Sequence, residues 1–205
     1  MTILLEKMRP LVDETTRKLN IKQFDMDPIA GKHLSKVVSI MSSAYKRHAN
    51  IIIRSIFEQL QSYNKFEIWE EPKFHINERA KKFVERILDY PERVFDHDYK
   101  YEISSQSIKT DFIVHDKTNN NISAYNIKRG NGVYDAGKKR LLFKDLLLLQ
   151  TMLKSYGLSK DLPITNARSF VIFYYGKISL PKPLLLTKND LDNHFNCYVV
   201  HEVEE

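Results

Sequence analysis

Residues 108–128 read IKTDFIV, HDKTNNN, ISAYNIK, and no other stretch constrains the fold as much. Both outer runs alternate apolar and polar side chains, the period of a strand with one face in a core. The middle run is a turn by composition, so the stretch predicts an antiparallel hairpin. With Thr118 and Asn119 at the centre of the turn, Asp111 pairs with Asn126 across the ladder. Lys109, Asp111 and Ile113 share a face on the first strand, as do Ile122, Ala124, Asn126 and Lys128 on the second, with Ser123, Tyr125 and Ile127 opposite. Asp111, Asn126 and Lys128 therefore converge at one end of a strand pair built otherwise from apolar residues.

The chain before the hairpin reads as helical. One helix covers residues 2–18. A second starts at Asp27 as N-cap with Pro28 in its first turn, and Leu34, Val37, Met41, Ala44, Tyr45, Ile52, Ile56 and Leu60 keep helical spacing to about Tyr63. FEIWE at 66–70 reads as a short strand, and Asn77 caps a helix over 78–88. YKYEI at 99–103 alternates like a further strand, which makes three consecutive strands with the hairpin. A long helix over 135–156 follows, closed by Gly157 and carrying Leu or Phe almost all round, as a core helix does. RSFVIFYYG at 168–176 predicts a buried strand, TKNDLDNHF a short helix capped by Thr187, and CYVVHEV a last strand. The sum is an α/β fold with an antiparallel hairpin at its centre. A helical region over 1–49 is expected to pack on a core over 50–205.

Charge narrows the partner. The net charge of +6 and pI near 9.2 favour a polyanion. Between 128 and 140 stand Lys128, Arg129, Lys138, Lys139 and Arg140 against the single acid Asp135. Lys138, Lys139 and Arg140 sit in the first turns of a helix, the wrong end for its dipole, so another source of negative charge is implied. A phosphate backbone would supply it. The RGNG segment after Lys128 puts glycine where the backbone turns or closely approaches something. Cys197 is the only cysteine, which excludes a disulfide and a cysteine-built zinc site. No window reaches the ~20 apolar residues of a membrane span, and the start lacks the apolar stretch of a signal peptide. The expected compartment is the cytoplasm of a bacterial or archaeal cell.

The element order and the sequence Asp111, turn, Asn126-Ile127-Lys128 resemble the PD-(D/E)XK nuclease superfamily, which includes many type II restriction endonucleases. Its core is a helix, three strands, a helix and a strand, and the resemblance covers about 50 to 176. Two departures stand out: Thr110 precedes Asp111 where the family has proline, and Asn126 occupies the acidic position of the motif. The resemblance implies a Mg²⁺-dependent endonuclease acting on double-stranded DNA. Asp111, Asn126 and the Ile127 carbonyl would ligate the metal, and Lys128 would position water and offset charge on the phosphate. Glu58 is the candidate for the carboxylate that an upstream helix often adds. Arg129, Lys138, Lys139 and Arg140 would contact the DNA. Three readings of Asn126 stay open: a natural active variant, an inactive relative, and an engineered replacement of an acid. Open alternatives for the function are a catalytically silent DNA-binding protein of the same fold and a structure-specific DNA or RNA nuclease in repair or defence. A homodimer is a further expectation.

Overall fold

The computed structural model describes residues 3–130, 135–176 and 184–204. The elements are α1 (Ile3–Asn20), α2 (Gly31–Gln61), β1 (Phe66–His75), α3 (Glu78–Ile87), β2 (Ser107–Asp116), β3 (Asn121–Lys128), α4 (Ala136–Leu158), β4 (Asn166–Phe173), β5 (Leu185–Thr187), α5 (Leu191–Phe195) and α6 (Val200–Glu204). They form two units, Met1–Gln59 with Tyr198–Glu205, and Leu60–Cys197.

The first unit is helical. The Asp27 carboxylate accepts from the amides of Ile29 and Ala30, at 2.8 and 3.0 Å, as a cap should. Yet α2 begins only at Gly31, whose φ of 69° lies in the left-handed region and interrupts the helical run. The boundary expected at 49/50 falls inside α2. CYVVHEV is not a strand: Val200–Glu204 is the short helix α6, and Gln59 Nε2 donates to the Tyr198 carbonyl at 2.9 Å. An apolar run this short carries no periodicity that separates strand from helix.

The second unit is a five-stranded sheet in the order β1-β2-β3-β4-β5. β1–β2 and β2–β3 are antiparallel, while β3–β4 and β4–β5 are parallel. The sheet is mixed, and β5 was not expected. The hairpin has the expected register, from Asp116↔Asn121 to Phe112↔Tyr125. The three consecutive strands are not found. YKYEI forms no strand, because its backbone bonds to α4: Tyr99 N donates to the Thr151 carbonyl at 2.7 Å and Tyr101 N to Ser155 Oγ at 2.9 Å. Its alternation reflects Tyr101 packing on Phe74 and Tyr156. The strand beside β2 is β1, which runs past FEIWE to His75, and α3 lies between the two in sequence. Register shifts around Pro72 interrupt β1, which is an edge strand and tolerates a residue without an amide hydrogen.

α4 lies on the face of the sheet that carries Ile113, Ile122, Ala124 and Val171. Residues 146–153 are buried all round, so the core reading of this helix is correct. Buried Gln150 holds α4 to β4, donating to the Ala167 carbonyl at 2.9 Å and accepting from Ser169 N at 2.9 Å. Ser169 Oγ donates to the Leu146 carbonyl at 2.8 Å. Gly157 does not close the helix but lies within it, where a Cβ would come 2.6 Å from Ile164 Cγ1. On the opposite face Tyr125, Phe112, Phe170 and Phe195 pack together. Thr187 caps the turn into α5, its hydroxyl and amide both bonded to Asp190 at 2.6 and 2.7 Å.

Beyond the sheet, the chains after β3 and β4 stay together. Tyr174 N donates to the Lys128 carbonyl at 2.9 Å and Tyr175 N to that of Arg129 at 2.8 Å. Gly130, with φ of 89°, then abuts Gly176, and a Cβ on Gly130 would lie 2.6 Å from the Gly176 nitrogen. The glycine expected to mark a close approach does so; Gly132 lies outside the described residues. Gly130→Ala meets both left-handed strain and immovable backbone, and should destabilise by about 1–3 kcal/mol in urea denaturation. Gly31→Ala, where nothing lies within 4 Å, should lose only the strain part, about 1–2 kcal/mol.

Candidate active site

β2 and β3 part company one residue beyond Phe112↔Tyr125. From there β2 is paired only with β1, through Glu71↔Thr110 to His75↔Ser107, while β3 continues beside β4 to Lys128↔Phe173. Side chains replace the missing ladder. Thr110 Oγ1 donates to the Tyr125 carbonyl at 2.9 Å, and Asp111 Oδ2 accepts from the Ile127 amide at 2.7 Å. Thr110 thus has a structural part in holding the two strands where they separate.

The expected pair of Asp111 with Asn126 falls just past the last ladder pair and is not formed; Asp111 bonds the Ile127 amide instead. In a strand, alternate peptide groups face opposite neighbours. Lys128 bonds through its carbonyl to the β4 side, so the peptide groups of Ile127 face β2, where Asp111 receives the amide. The Ile127 carbonyl points to that same side. Asn126 is 6% exposed. By alternation Asn126 and Lys128 point with Ala124 toward α4. Asp111 and Ile127 are therefore bonded where the two strands separate, with Asn126 and Lys128 on either side of Ile127 along β3.

Glu58 is not part of this group of strand residues. It sits on α2 in the first unit, its carboxylate paired with Arg54 and, at 3.3 Å, with Lys7. To ligate a metal it would first release both cations.

A carboxylate that sequence reading missed is Asp145 on α4. It is half-buried, and loss of water around it pushes its carboxyl above the usual range, against the lowering influence of Lys144 and Lys128. Lys144 is itself held by Glu85 at 2.6 Å. Lys128 thus has an acid within electrostatic reach from the helix. Asp145 escaped notice because its place beside Lys128 depends on how α4 crosses the sheet. Its one signal was the charged pair Lys144-Asp145 within the apolar run LLFKDLLLL.

The basic residues divide. The Arg129 guanidinium lies over the Tyr175 ring, 5.7 Å from its centroid. Lys138 pairs with the N-cap Asp135 at 3.3 Å, and Asp135 also accepts from Lys138 N at 2.9 Å. Part of the negative charge required at this helix start is therefore supplied from within. Lys139 and Arg140 have no carboxylate partner among the described residues. Asp98 pairs with Lys154 at 3.7 Å.

A divalent metal fits the opening in donor type, though its anionic donors are few. Asp111 offers the oxygen not bonded to Ile127; the amide oxygen of Asn126 and the Ile127 carbonyl are neutral oxygen donors of the kind hard cations accept. No group of three His, Cys, Asp or Glu side chains placed to hold a metal occurs among the described residues. The opposite face of the sheet has a cavity of about 340 Å³ lined by Asn121, Ser123, Asn166, Arg168, Phe170 and His194. None of the expected site residues lines it. There the Tyr125 hydroxyl meets His194 Nε2 at 2.8 Å, and burial lowers the imidazole to about 4.

No family model, curated protein or solved structure matches the chain. Among the described residues no helix is long and apolar enough to cross a membrane.

Asp145 provides a pH test of this geometry. Its carboxyl binds a proton more tightly folded than unfolded, so it supports folding below its unfolded pKa and loses that support as pH rises through its folded pKa. Asp145→Asn should therefore raise the thermal midpoint at neutral pH, and the gain over wild type should shrink steadily on acidification. A gain that grows on acidification would contradict a desolvated carboxylate.

Proposed function

We propose that the protein is a metal-dependent endonuclease that hydrolyses phosphodiester bonds of double-stranded DNA, in the manner of a type II restriction enzyme of the PD-(D/E)XK kind. The observation that supports this best is the bond of Asp111 to Ile127, with Asn126 and Lys128 on either side of Ile127, where the ladder between β2 and β3 ends.

In this reading Asp111, with the oxygen not engaged by Ile127, anchors Mg²⁺ together with the neutral oxygens of Asn126 and Ile127. The bound ion supplies Lewis-acid polarisation of the phosphate. Asp145 adds the carboxylate that position 126 lacks. Lys128 lies within the electrostatic influence of Asp145. It orients the attacking water and offsets the negative charge that grows on the phosphate oxygens. Lys139, Arg140, Lys138 and Arg129 contact the DNA backbone on either side. The neutral side chain at 126 favours one rival, a DNA-binding protein of the same architecture without catalytic activity.

Asp111→Ala should abolish Mg²⁺-dependent plasmid cleavage while the circular dichroism spectrum stays that of wild type. Wild type that binds duplex DNA but leaves plasmid intact in both Mg²⁺ and Mn²⁺ would select the rival. Full cleavage by folded Asp111→Ala would remove the hairpin from the chemistry altogether.

Replacement of Lys138, Lys139 and Arg140 by alanine should weaken binding to all duplexes alike. The slope of log K against log salt should fall by roughly one unit for each phosphate that is no longer neutralised. Because Lys138 is paired with Asp135, its single replacement should change the slope least. An unchanged slope in the triple variant would place the DNA path elsewhere.

A further inference from the structure

The cavity of about 340 Å³ on the face of the sheet opposite α4 has no part in the strand opening. Its floor is flat because two neighbouring parallel strands make it. The register sets Asn121 beside Asn166 and Ser123 beside Arg168, so these polar side chains stand in a rectangle on one face. Farther along the same face the rings of Tyr125 and Phe170 stack with their centroids 5.6 Å apart. His194 from α5 stands edge-on to Phe170, 4.7 Å between centroids, and closes that end.

The lining is selective in its chemistry. Asn166 Nδ2 donates to Asn121 Oδ1 at 3.2 Å, which leaves the Asn166 amide oxygen as an acceptor beside the Asn121 amide nitrogen as a donor. Such a pair matches a planar group that carries its own donor next to an acceptor. His194 is neutral at neutral pH, since burial lowers its imidazole to about 4, and its Nε2 is held by the Tyr125 hydroxyl at 2.8 Å. Among the described residues that line the cavity, Arg168 therefore carries the only charge, and no acid joins it. Its guanidinium lies over the Phe95 ring, 4.3 Å from the centroid, a contact that steadies the side chain without neutralising it.

These features select among small ligands. An amine finds no acid to pair with, and a neutral sugar makes no use of the arginine. Inorganic phosphate meets the arginine but leaves most of the volume empty. The volume is at the low end of small-molecule sites, too little for a helix or a duplex. An anion attached to a planar, hydrogen-bonding body satisfies every part of the lining. We propose that the cavity binds a nucleoside monophosphate, with its base edge on the Asn121–Asn166 pair and its phosphate toward Arg168. The site is independent of the nuclease reading, because none of Asp111, Asn126, Lys128 and Asp145 lines it.

Isothermal titration calorimetry on the full chain without divalent metal tests it. The probes are the monophosphates of adenosine, guanosine, cytidine and uridine, the matching nucleosides, and inorganic phosphate. At least one monophosphate should bind, and its nucleoside should bind about tenfold or more weaker, the scale of a charge-assisted hydrogen bond. Arg168→Gln should weaken the monophosphate by that same factor and leave the nucleoside unchanged. Arg168 is exposed, so the thermal midpoint of this variant should stay near that of wild type. Ser123→Tyr, which fills the floor, should weaken nucleotide and nucleoside alike, and Lys128→Ala should bind both as wild type does. A Kd above about 1 mM for all four monophosphates would overturn the proposal. So would Arg168→Gln that binds as wild type does, or inorganic phosphate that binds as tightly as any monophosphate. Loss of binding in Lys128→Ala, with Arg168→Gln unaffected, would move the nucleotide to the strand opening and also overturn it.

Discussion

Everything distinctive about the second unit depends on where the ladder between β2 and β3 stops. A hairpin left to its own preferences pairs to the end of its shorter strand, because each unpaired buried peptide group costs about 1–3 kcal/mol. Here the pairing ends at Phe112↔Tyr125, and β3 turns its remaining length to β4. The peptide groups so released are met by side chains: the Tyr125 carbonyl by Thr110 and the Ile127 amide by Asp111. A bond from a carboxylate is charge-assisted and stronger than the neutral bond it replaces. Asp111 therefore has a structural task, and one of its oxygens is committed to the Ile127 amide whatever else the residue does.

The opening is held from behind by α4. Its run of buried leucines supplies most of the packing, but leucines alone would let the helix slide along the sheet. Gln150 removes that freedom by bonding both a carbonyl and an amide of β4, and Ser169 ties back to Leu146. Asp145 is next to Leu146 in the same helix. The position of this carboxylate relative to Lys128 is thus set by a buried amide one turn away, through rigid helix and strand. The close approach of Gly157 to Ile164 and Ile122 fixes the far end of the same helix against the sheet.

Local chemistry was legible in the sequence, and long-range pairing was not. The hairpin register followed from turn composition and alternation, and the Asn77 cap from its position before an amphipathic run. The tyrosines of YKYEI misled because alternation reports which side chains are buried, and the backbone there had found partners on α4 instead of a strand. β1 ran longer than expected because bulges around Pro72 hide its period. Within the site, Asp111, Asn126 and Lys128 could be placed together from the hairpin alone. Asp145 could not, since its neighbour on the sheet lies seventeen positions away and depends on a helix crossing.

Asn126 makes sense in this electrostatic setting. It is nearly inaccessible, and an ionised carboxylate at its depth would lose most of its hydration. Beside Asp111 it would also face a like charge across the strand opening, which drives one of two close carboxyls to stay protonated. In the reading proposed above the second acid is Asp145 on α4, which would separate the two charges and lies within electrostatic reach of Lys128. The strand position then needs only an oxygen that accepts, and asparagine supplies one without a charge to desolvate. The same arrangement leaves the opening closer to neutral than two strand carboxylates would, so an anionic phosphate meets less repulsion before any cation is bound.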